Sequence, residues 1–290
     1  MFCRARTPHG TFDATPRDRT GAVRRLGMSR FRGGLIRIVA AVALGLFLAR
    51  SAAAQTVDDI IKHGKIVFGI DMANPPFGSL GKDGQPQGYE PDVARLVGKY
   101  LGVPVEIVPA TPQNRIGYLL TNRVDVIMMG ITPERARQVW FTMPYAIEAA
   151  VLVGPASVHV KTMEDLVGKR IGIPRGAMQD IVLSKSAPKG AQIMRFDDQA
   201  TAVQALIAGQ VDLAGTGMLQ YQLINRDDPG KGYETKLILR PLHFGMAVRR
   251  GNIDLLRFLD TVVYEIKTNG ELEAISQQWR HLPVGDLPPL

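Results

Sequence analysis

The sequence predicts an α/β protein built from two similar lobes, on three observations. From Gln55 onward, short β-branched runs alternate with amphipathic helical segments, which is the pattern of largely parallel sheets. One helix-turn-strand unit occurs twice: Leu119-Leu120, then Val124-Asp125-Val126 with Gly130 five after the Asp, matches Leu206-Ile207, then Val211-Asp212-Leu213 with Gly217 five after. No low-complexity linker interrupts the pattern.

Taken in order, residues 65–70 read as the first strand and 91–101 as the first helix. In that helix Val93, Leu96, Val97, Tyr100 and Leu101 recur at helical spacing, and Gly102 stops it. A strand at 105–109, a helix at 115–120 and a strand at 124–128 follow, and Thr132-Pro133-Glu134 opens a short helix. The second set has strands at 149–153, 170–173, 192–195 and 211–214, with helices at 163–166, 178–184 and 199–208 between them. A strand at 243–248, a helix carrying Ile253, Leu256, Leu259, Val263 and Ile266, and a last helix with Leu272, Ile275 and Trp279 complete the chain.

The formal charge of +8 invites a nucleic-acid reading until it is located. Residues 1–54 hold ten Arg and two Asp, so 25 basic and 25 acidic residues remain in 55–290, and phosphate-backbone binding is set aside. The basic front has the layout of an export signal. Arg30, Arg32 and Arg37 precede an apolar run over 38–48, and Ala52-Ala53-Ala54 forms a small-residue cleavage site. Removal is expected after Ala54, with Met28 as an alternative start and Arg24-Arg25 as an alternative twin-arginine signal. The run is too short to span a bilayer, which needs roughly 20 residues. The single cysteine, Cys3, falls in the discarded part, so no disulfide, thiol nucleophile or lipid-attachable cysteine is expected in the remainder.

In open α/β sheets ligands sit beyond the carboxyl ends of strands, so Gly130 and Gly217 mark two facing cleft walls. Thr132-Pro133-Glu134-Arg135 offers a helix N-terminus and a guanidinium, together suited to a carboxylate. An Arg paired with an acid on a solvated face has the same spacing. Asp71, Asn74 and Phe77 lie in a Pro-rich loop after the first strand, where Asp71 suits either a cationic group or a turn cap. Arg175-Gly176-Ala177-Met178 opens a helix with further N–H donors, or is a plain strand-to-helix turn. His63, His159, His243 and His281 are scattered without metal spacing, and no cofactor fingerprint is complete.

The ordered set Gly69-x-Asp71-x-x-x-Pro75-Pro76-Phe77, Gly88-Tyr89-Glu90-x-Asp92-x-Ala94, Val124-Asp125-Val126-Ile127, Ile131-Thr132-Pro133-Glu134-Arg135, Phe141-Thr142-x-Pro144-Tyr145 and Gly168-Lys169-Arg170-Ile171-Gly172 resembles the polar-amino-acid family of bacterial extracellular solute-binding proteins. The resemblance covers nearly all of 60–280. It implies the two-lobed, type II periplasmic-binding-protein fold, with crossover hinge strands near 145–150 and 241–245 that let the lobes close on a ligand. Lobe 1 would be 55–146 and lobe 2 would be 147–242, with 243–290 returning to lobe 1. Arg135 would hold the ligand's α-carboxylate beside Gly130 and Thr132. The implied partners are a small amino-acid-like carboxylate and an ABC permease in the inner membrane, met by a periplasmic monomer without cofactor.

The chain departs from the family pattern at three places. Gly217 stands where an Asp usually holds the α-ammonium, Ala177 and Met178 stand where Thr or Ser follows Arg-Gly, and Asn74 replaces an aromatic. A buried ammonium without a partner is unfavourable by several kcal/mol, so the expectation shifts toward a carboxylate lacking that amine, or a ligand whose cation reaches Asp71. Two other readings share the fold: a periplasmic enzyme resembling cyclohexadienyl dehydratase, and a sensor module for a membrane receptor.

Overall fold

The computed structural model describes residues 56–227, 230, 232–285 and 287. The expected export signal, its cleavage after Ala54, Cys3, Arg24-Arg25 and Met28 lie outside the described residues.

Strands buried on both faces read as unbroken apolar runs, and β1 (Ile66–Ile70) and β5 (Val126–Gly130) are of this kind. Before and between them lie α1 (Val57–His63), a short hairpin of β2 (Ser79–Leu80) and β3 (Pro86–Gln87), α2 (Tyr89–Leu101), β4 (Val105–Pro109) and α3 (Arg115–Leu120). After β5 come α4 (Pro133–Ala136), β6 (Val139–Phe141) and β7 (Ala146–Pro155). A second set follows: β8 (Arg170–Pro174), α5 (Met178–Ser186), β9 (Gln192–Phe196), α6 (Gln199–Ile207), β10 (Leu213–Gly217) and α7 (Met218–Asp227). The chain ends with β11 (Tyr233–Arg249), α8 (Ile253–Thr268) and α9 (Glu271–Arg280).

A nine-stranded sheet runs in the order β4-β1-β5-β11-β7-β10-β8-β9, with β6 pairing β11. Its two longest strands make the architecture. β7 and β11 lie antiparallel, from Tyr233 opposite Pro155 to Phe244 opposite Ala146. The far end of β11 pairs with β5 and β6, whereas the far end of β7 pairs with β10. The pair therefore crosses between two parallel half-sheets, β4-β1-β5 and β10-β8-β9. Each half-sheet has its own core. Phe68, Tyr89, Val97, Met246, Leu259 and Leu272 share the first, so α8 and α9 pack on the half-sheet where the chain began. Val151, Leu206 and Ala214 fill one face of the second half-sheet, and Ile171, Leu183 and Leu213 the other.

The internal repeat is one physical device used twice. Asp125 accepts from Val67 N at 2.9 Å, and its own N–H donates to Val67 O at 2.8 Å. Asp212 does the same with Arg170, both bonds at 2.8 Å. Because these aspartates clamp the neighbouring strand, β5 and β10 begin two residues later than the apolar pattern suggests. Other expectations also shift. The helix expected at 163–166 is a single 3₁₀ turn over Glu164–Leu166. The apolar stripe of α8 uses Leu255 and Val262, leaving Ile253 exposed. β11 starts ten residues before the expected strand, because that stretch is only half-buried and lacks an apolar signature.

Candidate functional site

The carboxyl ends of three strands from each parallel half-sheet open on one cavity. From the first lobe it is lined by Asp71 after β1, Pro112 and Arg115 after β4, and Gly130 and Arg135 after β5, with Asn74 beside them. From the second it is lined by Ala177, Met178 and Gln179 after β8, Gln199 after β9, and Gly217 at the end of β10. Glu148, Ala149, Ala150, Leu242 and Phe244 on the crossover strands form its floor. The fold thus brings together Asp71, Asn74, Gly130, Arg135, Ala177, Met178 and Gly217, and places Phe77 and Thr132 one layer behind.

Those two displaced residues work through others. Phe77 is buried and stacks on the cavity residue Phe244, with ring centroids 4.9 Å apart. Thr132 is buried and its hydroxyl accepts from Arg135 N at 3.2 Å. The expected anion-binding helix start at Thr132-Pro133-Glu134-Arg135 is therefore corrected: α4 is one turn long and capped by Thr132, so only the guanidinium remains to meet an anion.

Arg135 is 4% exposed, far from the solvated-face reading. Its Nη1 donates to Gly130 O at 2.7 Å, and its Nη2 to Gly176 O at 3.0 Å in the other lobe. Both acceptors are neutral carbonyls, and no carboxylate pairs with this cation among the described residues. Burial, and the neighbouring charge of Arg115, push its pKa well down. Gly176 has φ +73°, a left-handed conformation, and a side chain there would meet Pro112 O at 3.0 Å. Lys185 on α5 pairs with Glu134 on α4. The two lobes touch across the cleft.

Arg115 is a second buried guanidinium, 8% exposed, and no hydrogen bond or ion pair reaches it among the described residues. Asp71 and Glu90 offset its charge at longer range. Asp71 accepts from Ala73 N at 3.0 Å, so it is a turn cap and a cavity carboxylate at once. Burial raises its pKa, opposed by that bond and by Arg115. Behind it Glu90, accepting from the Tyr145 hydroxyl at 2.8 Å, is raised by burial to about 7.

In the second lobe, Ala177 precedes α5 without a side-chain cap, and Asp180 in the first turn accepts from Gly176 N at 2.9 Å, so an acid already answers the helix dipole there. Gly217 carries no side chain, and a carboxylate stands in front of it. A Cβ on Gly217 would meet Glu148 Oε1 at 2.7 Å and Oε2 at 2.9 Å. Glu148 Oε1 accepts from Leu219 N at 2.7 Å, at the start of α7, while burial raises the carboxyl to about 7.

Glu148, Arg115, Gln179 and Gln199 were not among the expected site residues. Glu148 had a signal: it is the one charged side chain in the apolar run 146–155. Arg115 had one too, as the first helical residue after a parallel strand.

A cleft between two cross-connected lobes, walled by buried charges of both signs, is the architecture of a solute-binding protein. The chain belongs to the bacterial extracellular solute-binding proteins, family 3, whose sequence model matches residues 66–281. It is 28% identical over 249 residues to the L-cystine-binding protein TcyJ of Escherichia coli, covering 83% of this chain and 92% of that protein. It is 30% identical over 251 residues to ABC transporter arginine-binding protein 1 of Escherichia coli, covering 84% of this chain and 98% of that protein. A mutant form of ArgBP from T. maritima superposes with a TM-score of 0.73 at 31% identity, over 78% of this chain and 99% of that one.

Proposed function

We propose that the protein is the periplasmic substrate-binding component of an ABC importer, and that it captures an amino acid by closing its two lobes. The observation that carries this reading is the buried guanidinium of Arg135, held between neutral carbonyls with no carboxylate paired to it among the described residues. A charge so placed is costly unless an anion reaches it, and a ligand's α-carboxylate matches its planar fork. The buried guanidinium of Arg115 favours the same end of the ligand. The relatives named for L-cystine and arginine support the amino-acid class.

In this reading residues 55–146 with 243–290 form one rigid lobe and 147–242 the other, turning about β7 and β11. The chain leaves the membrane on its own once the signal is cut after Ala54, acts as a monomer, and hands the ligand to a permease unchanged. Mass spectrometry of protein incubated with each of the standard L-amino acids and L-cystine tests this: a bound amino acid recovered intact is expected. A chemically altered product would favour the enzyme reading instead. X-ray scattering tests capture by closure, with a smaller radius of gyration expected once ligand saturates.

A further inference from the structure

Loss of the usual acid at Gly217 argues against an ammonium site, but the structure places another carboxylate in the same space. Glu148 comes from the crossover strand β7, and both its oxygens stand where a Gly217 side chain would be. The strand holds it firmly, since Glu148 pairs with Leu242 of β11. Oε1 is satisfied by the Leu219 N–H, whereas Oε2 receives no hydrogen bond among the described residues.

The charges around it do not neutralise it. Arg280 of α9 is the cation that acts on Glu148, but it acts at range, spending Nη2 on Ile147 O at 2.9 Å and lying over the Tyr89 ring. The other charged neighbour is Glu90 of α2, whose like charge worsens the balance. Among the described residues, one wall of the cavity thus holds a carboxyl that no cation pairs with, and another holds Arg135, a cation that no carboxylate pairs with. A ligand carrying one charge of each sign satisfies both walls, while a plain carboxylate leaves Glu148 stranded.

We infer that Glu148 is the acceptor for the ligand's ammonium group, moved from the second lobe's strand end onto the crossover strand, and that the ligand is an α-amino acid rather than a des-amino carboxylate. The inference rests on the cleft being an amino-acid site. It reverses the expectation drawn from Gly217, and it puts the ammonium contact on a strand about which the lobes turn.

Isothermal titration of the wild type with the standard L-amino acids and L-cystine identifies the tightest binder, which is then compared with its des-amino analogue. Glu148→Gln is expected to weaken the amino acid about 30-fold or more, the range for removing one partner of a buried charge pair. The des-amino analogue should change by less than about 3-fold, so the preference for the amine collapses. Because Glu148→Gln is nearly isosteric, unchanged thermal unfolding checks that the variant folds. In the double variant Glu148→Ala with Gly217→Asp, a carboxylate returns to the vacated space, and binding should recover to within about 10-fold of wild type. Equal weakening of both ligands, or wild-type affinity in Glu148→Gln, overturns the inference and leaves the amino-acid reading standing. A wild type that binds des-amino acids but no amino acid overturns both.

Discussion

Arg135 donates across the cleft to the carbonyl oxygen of Gly176, 3.0 Å away, while its other terminal nitrogen holds Gly130 O at 2.7 Å. One side chain therefore touches both lobes and lines the cavity, so the proposed function couples ligand capture and lobe contact through it. Arg135→Lys keeps the charge but loses the planar fork, and a single ammonium cannot reproduce both bonds. Affinity for the amino acid should fall about 10-fold or more, roughly 1.4 kcal/mol, by titration calorimetry. Wild-type affinity in this variant would show that the fork is not used.

Lys185 and Glu134 bridge the two lobes, the lysine exposed and Glu134 half-buried, with the Glu134 carboxyl held down to about 2 mainly by its bond to that lysine. Lys185→Glu replaces attraction with repulsion between the lobes. Stopped-flow measurements should find faster ligand release than wild type at low salt. The difference should shrink in 1 M salt, where the screening length falls to about 3 Å. An effect independent of salt would point to altered packing instead.

Burial raises Glu148 and Glu90 to about 7 each. Arg280 and the Leu219 N–H oppose the rise at Glu148; Tyr145 and Arg115 oppose it at Glu90, where Asp71 and Glu148 add to it. The folded, ligand-free protein therefore keeps protons that the unfolded chain releases from about pH 4.5 upward. Its stability should fall as pH rises toward about 7 and level off above. A ligand ammonium favours the charged form of Glu148, so affinity should move the opposite way, rising with pH to about 7. Thermal unfolding and calorimetry across this window check both slopes, and Glu148→Gln should flatten the affinity slope.

Phe77 stands behind the cavity, stacked on Phe244 and edge-on to Tyr89 with centroids 5.8 Å apart. Phe77→Ala should cost about 3–5 kcal/mol of stability in urea unfolding, as expected for emptying a buried aromatic site. It should also weaken binding, because Phe244 loses its support at the cavity wall. A loss under about 1 kcal/mol would mean that the neighbouring core collapses into the space.

Much of this architecture was legible in the sequence because local signals agreed with the fold. Gly102 ends α2 in a left-handed cap at φ +77°, and the two Val-Asp units mark equivalent corners of the two half-sheets. What escaped notice had weaker or competing signals. α1 is announced by a Thr56–Asp59 capping box, but its seven residues carry only one buried apolar side chain, Ile60. α7 has no clear apolar stripe, since its polar Gln220 is buried against Thr216. At the site, Arg135, Asp71 and the two glycines follow from their places at strand ends. Glu148 does not, because its role depends on a space left open by Gly217, 69 positions later, and only the packed strands put the two together.

The central claim is that the cleft captures an amino acid through Arg135, and a thermal-shift titration of the purified protein with the standard L-amino acids and L-cystine tests it most directly. A ligand at 100 times its dissociation constant should add about 2.7 kcal/mol of stability, and Arg135→Ala should abolish the shift. No shift with any amino acid, or a shift that survives in Arg135→Ala, would contradict the account.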